Sequence, residues 1–126
     1  MIGLSEWKRV KSGLEKILEK APDEWIPEDV YASVVSGQSF IFEIGTGFAV
    51  VQASSYLRGK MLFVWCLYMP HGNTKESVIP ALDMIAKQAG CNLIRFHSSR
   101  DGWKWFLDGE FKPTATVWER KINGTV

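Results

Sequence analysis

From Met61 to Met69 the chain reads Met-Leu-Phe-Val-Trp-Cys-Leu-Tyr-Met, nine residues without a charge. A strand that faces water on one side alternates apolar with polar residues. An unbroken apolar run therefore predicts a strand covered on both faces, in the middle of a sheet. Downstream, Val78, Leu82, Ile85, Ala86 and Ala89 fall on one stripe of a helix, with Asp83, Lys87 and Gln88 opposite. Gly90 supplies a helix stop, and Cys91 to Phe96 returns to an extended pattern. Strand, crossover helix and strand, from Lys60 to His97, place two parallel strands side by side by the handedness rule.

The flanking segments predict what packs on that unit. Ser5 is positioned to cap a helix whose apolar face is Trp7, Val10, Leu14, Ile17 and Leu18, and Pro22 ends it. Pro27 suits a first helical position, Glu28 and Asp29 suit the positive end of the helix dipole, and Gly37 closes a short helix carrying Val30 and Val34 inward. Phe40–Ile44 and Phe48–Gln52 flank Gly45-Thr46-Gly47, a hairpin signal, and Ser54 to Gly59 reads as the next connection. For the crossover helix, Asn73 and Glu76 have capping-box spacing. Pro80 leaves two options, a start near Asn73 with a kink or a start at Ser77 with Pro80 in the first turn, and the second is preferred for the regular part. Arg100 to Leu107 reads as a short aromatic helix broken at Gly109, and Pro113 to Lys121 as a last strand.

Composition narrows the function classes. At 126 residues the chain is read as one domain, with the helices in 5–37 and the sheet and crossover helix in 38–126. Fifteen Lys and Arg against 14 Asp and Glu give a net charge of +1, which argues against nucleic acid or an anionic membrane as partner. No signal-peptide pattern opens the chain, and its longest apolar run is too short to span a bilayer. Cys66 and Cys91 lack metal-ligand spacing, so buried free thiols are the reading, and no metal is expected.

The order of two helices, hairpin, central strand, helix, strand, short helix and last strand resembles the GNAT acyltransferase superfamily without its usual first strand. Its fold class is α/β, with a mixed, mostly antiparallel sheet. Locally, Trp103-Lys-Trp-Phe-Leu-Asp-Gly-Glu-Phe-Lys-Pro113 is similar to the family's short helix and Gly-Phe turn. More narrowly, the chain resembles small GNAT-like proteins encoded among the virion genes of tailed phages and prophages.

That resemblance implies a site to inspect. The family holds the acetyl-CoA pyrophosphate on backbone N–H groups of a glycine-rich loop at a helix start. The matching stretch here is His71-Gly72-Asn73-Thr74-Lys75-Glu76-Ser77-Val78, with one glycine, and the two motif glycines fall near Glu76 and Val78. His71, Gly72, Asn73, Thr74 and Lys75 are thus candidates for a degenerate acetyl-CoA loop. The family's tyrosine general acid corresponds to Phe106, or to Trp105 one residue away, and neither donates a proton usefully. Tyr68 is the central strand's one ionisable oxygen group, and Glu43 reads as a solvent-face position. His97, near Ser98, Ser99 and Asp101, reads as a capped strand end rather than part of a triad. Trp7 and Trp65 read as core, whereas Trp103, Trp105 and Arg100 are candidates for an interface.

Taken together, the resemblance implies a non-catalytic structural or assembly component that contacts other phage or virion proteins or itself, in the host cytoplasm or incorporated in the virion. No cofactor is expected. The alternative is an N-acetyltransferase using acetyl-CoA. An open slot between the two parallel strands fits the enzyme, and a glycine-poor, plugged gap fits the scaffold.

Overall fold

The computed structural model describes residues 4–20, 23–70, 74–97, 109–114 and 118–122. Its elements in chain order are α1 (Leu4–Lys20), α2 (Pro27–Val35), β1 (Phe40–Ile44), β2 (Gly47–Tyr56), β3 (Gly59–Tyr68), α3 (Lys75–Gln88) and β4 (Leu93–Phe96). The strands form one sheet in the order β1-β2-β3-β4, antiparallel at the first two pairings and parallel between β3 and β4. The α/β class and the mixed, mostly antiparallel sheet are those expected from the sequence.

Several predicted elements stand. Pro27 opens α2, and the Asp29 carboxylate accepts the Ile26 N–H at 2.9 Å. The Ile44↔Gly47 pairing leaves Gly45 and Thr46 as a two-residue turn, with a positive φ at Gly45 alone, which is the type II′ pattern that twists with its strands. At the end of α3, Cys91 N–H bonds Ala86 O at 2.8 Å around Gly90, whose φ of 73° is the left-handed conformation glycine adopts without penalty.

Four boundaries differ. The chain is already helical at Leu4, so Ser5 lies inside α1 and is not its cap. Ser54 and Ser55 belong to β2, not to a connection: their side chains are exposed, but the backbone ladder to β3 runs on to Tyr56↔Gly59, and only Leu57 and Arg58 turn. Thr74, not Asn73 or Ser77, caps α3, which makes Pro80 the sixth helical residue. The described part of Pro113–Lys121 forms no strand. Every side chain described there is exposed, Trp118 at 88%, so its alternation lacks a packed face.

The sheet separates two cores. On one face, α3 sets Val78, Leu82, Ile85 and Ala86 against Ala49, Val51, Leu62, Val64 and Leu67. On the other, α1 and α2 set Val10, Leu14 and Val30 against Phe48, Val50 and Cys66. Val64 and Cys66 would share a face in a regular strand. They do not, because the register steps from Val50↔Cys66 to Val51↔Val64, leaving Trp65 as an extra residue. Such a bulge bends and twists its strand. Here it puts Trp65 and Cys66 together on the α1/α2 side.

Candidate functional site

The parallel pair ends where the bulge begins. Pairing between β3 and β4 runs from Met61↔Leu93 to Val64↔Phe96, and β3 continues four residues further to Tyr68. The pairing therefore stops short of the end of β3, at the carboxyl ends of the strands, the place where open α/β sheets bind ligands. From the end of β3 the chain passes to the start of α3.

That helix start is built from Thr74 and Ser77. The Thr74 Oγ1 accepts the Ser77 N–H at 3.3 Å, the Thr74 N–H donates to Ser77 Oγ at 3.3 Å, and Ser77 Oγ–H donates to Thr74 O at 2.9 Å. Two of the N–H groups at this end are thereby taken by the chain's own side chains. Glu76 adds a carboxylate to the first turn, and no residue from Thr74 to Val78 is a glycine. Of the candidate loop, Thr74 is the cap and Lys75 the first helical residue, whereas His71, Gly72 and Asn73 lie outside the described residues. The interface candidates Arg100, Trp103 and Trp105 lie outside them too, as do Phe106, Ser98, Ser99 and Asp101.

The remaining sequence candidates are dispersed. Tyr68 packs against Phe48 at 5.4 Å between centroids, on the α1 side of the sheet and away from α3. Glu43 is exposed and paired with the Arg9 guanidinium. Cys66 and Cys91 are free and buried. Burial, and then the Asp23 carboxylate, push the Cys66 thiol far above its ordinary range, so it stays protonated and inert. Among the described residues no group of His, Cys, Asp and Glu is placed to hold a metal ion, and no helix is long and apolar enough to cross a membrane.

His97 belongs to a cavity that the sequence reading did not assemble. An open depression of about 490 Å³ lies on the α1/α2 side, lined by Asp23, Glu24, Trp25 and Asp29 from the α1–α2 connection and the start of α2, by Phe63 and Trp65 of β3, and by His97 after β4. Trp25 meets Trp65 at 5.8 Å with the rings inclined by 68°, and Phe63 meets His97 at 4.8 Å and 67°. Asp23 holds Trp25 in place, its Oδ2 accepting the indole N–H at 3.2 Å while Oδ1 accepts the Glu24 N–H at 2.7 Å. The available signal was a tryptophan following two acids in an inter-helix connection.

No protein-family model matches the chain, and no curated protein does. Solved acetyltransferase structures do match it in shape. A GCN5-related N-acetyltransferase from Ralstonia eutropha superposes with a TM-score of 0.68 at 12% identity, covering 95% of each chain. An acetyltransferase from Trypanosoma brucei gives 0.60 at 13%, over 93% of this chain and 95% of that one. A predicted acetyltransferase from Clostridium acetobutylicum, crystallised with acetyl-CoA, gives 0.61 at 14%, over 95% and 92%. At such identities the likeness establishes a GNAT-like fold.

Proposed function

We propose that this chain is a GNAT-fold binding protein without acyl-transfer activity of its own, working through contact with a partner. The observation that carries this is the first turn of α3. A coenzyme A diphosphate needs bare backbone N–H groups and close approach, and Thr74–Val78 offers a self-satisfied capping box, a Cβ at every position and the Glu76 carboxylate. These residues do not fit the cofactor of the fold family. The virion or assembly role implied by the resemblance to phage proteins is one specific form of this reading. The other reading, an acetyl-CoA-dependent N-acyltransferase, is favoured by the acetyltransferases that share the fold.

Isothermal calorimetry with acetyl-CoA separates the two. The expected result is no saturable binding below about 1 mM, a free energy no better than about −4 kcal/mol. A dissociation constant in the micromolar range, with turnover on any amine, would overturn the proposal.

A further inference from the structure

The acid-rimmed aromatic cavity has a chemistry of its own, on the face of the sheet that α3 does not cover. Among the described residues it is lined by three carboxylates and by no lysine or arginine. Among those residues, too, the ion pairs are Arg9–Glu43 and Lys11–Glu28, and neither takes Asp23, Glu24 or Asp29. The hydrogen bonds to Asp23 and Asp29 come from backbone N–H groups and one indole, which fix the carboxylates without neutralising them. Three carboxylates so placed disfavour an anionic ligand by repulsion.

The lining also separates charge from depth. The three carboxylates are exposed, at the rim, and the half-buried wall is Trp25, Phe63 and Trp65. A primary ammonium carries three N–H donors and would leave some of them against aromatic carbon. A fully alkylated ammonium has no N–H to satisfy and is attracted to aromatic faces, most strongly to tryptophan. The carboxylates then supply the long-range field. From this match we infer that the cavity formed by Trp25, Trp65, Phe63 and His97, with Asp23, Glu24 and Asp29 at its mouth, binds a trimethylammonium-type cation. Such a cation cannot be acylated, so this is a recognition site and not an acceptor site. It stands whether or not acetyl-CoA binds on the other face.

The test is a titration followed by the tryptophan indole N–H resonances, with choline and with its uncharged carbon isostere dimethylbutanol, at constant ionic strength. Choline is expected to shift two indole signals saturably, those assigned to Trp25 and Trp65, and to bind at least about tenfold more tightly than the isostere, since the charge is the only difference. The double variant Glu24→Gln, Asp29→Asn is expected to weaken choline several-fold while leaving the isostere unchanged. Both side chains are exposed, and the carboxamide oxygen introduced by Asp29→Asn still accepts the Ile26 N–H, so folding is preserved. Phe63→Leu tests the aromatic wall separately and is expected to weaken choline too. Free trimethyl-lysine in place of choline distinguishes a peptide source from a headgroup-like one, and tighter binding of either supports the site. Equal binding of choline and the isostere, no saturable shift with either cation, or unchanged choline affinity in the double variant would each overturn the proposal.

Discussion

Gly13 is the residue whose lack of a side chain decides where α1 rests. A Cβ built there would stand 2.6 Å from Phe48 Cε2 and 3.0 Å from Tyr68 Cδ2. Phe48 is 1% exposed, so its ring has nowhere to retreat. Helix propensity alone favours alanine over glycine by about 1 kcal/mol in a helix interior. Overpacking a filled core costs about 1–3 kcal/mol, so Gly13→Ala is expected to destabilise by up to about 2 kcal/mol net. The measurement is a lowered urea midpoint with an unchanged slope. A raised midpoint would mean that α1 lifts from Phe48 without loss. Nothing in the amphipathic pattern marks this position, because the stripe of Trp7, Val10, Leu14, Ile17 and Leu18 counts side chains, and a contact made by the absence of one appears only with the opposing ring. Cys66 was legible for the opposite reason: an uncharged thiol inside an apolar run belongs in a core wherever that run goes.

The elements were legible where periodicity is strong, and their ends were not. The Lys60–His97 unit follows directly from a continuous apolar strand and a regular helical stripe. The start of α3 does not, because Asn73 and Glu76 match the usual capping-box spacing while the chain uses the pair one residue on, Thr74 and Ser77. A serine at the third helical position can complete the box, its Oγ accepting the Thr74 N–H, but it is not the residue type that the pattern seeks. The shift makes Pro80 the sixth residue of α3, where its ring meets the Glu76 carbonyl and its N–H is missing from the ladder. Pro80 is exposed and packs little. Pro80→Ala is therefore expected to stabilise the protein by about 1–3 kcal/mol, the cost of a proline in a helix interior. Thermal unfolding by circular dichroism reads this as a higher midpoint. A lower one would mean that Pro80 itself is required to seat Val78 and Leu82 together.

At the scale of the molecule, the sheet works as a partition, and that lets one face change while the fold of the other persists. The α3 core and the α1/α2 core draw on alternate residues of β2 and β3, except at Trp65, where the bulge hands Cys66 across. The closed first turn of α3 lies at one face and the acid-rimmed aromatic cavity on the other. Alternation alone sets Phe63 and Trp65 on one face, so half of that cavity could be read from the sequence. The approach of Asp23, Trp25 and Asp29 to it depends on how α1 and α2 dock, which no local pattern records. A partition of this kind has a measurable consequence. Val30 and Val78 are both fully buried, one in each core. Val30→Ala and Val78→Ala are each expected to cost on the order of 2 kcal/mol in lost burial and residual cavity. Because the two positions share no partner, a double-mutant cycle is expected to return a coupling below about 0.5 kcal/mol. A coupling well above that would show that packing on one face sets packing on the other. The α3 turn and the aromatic cavity would then be one device, and changing Thr74 or Ser77 should alter choline binding across the sheet.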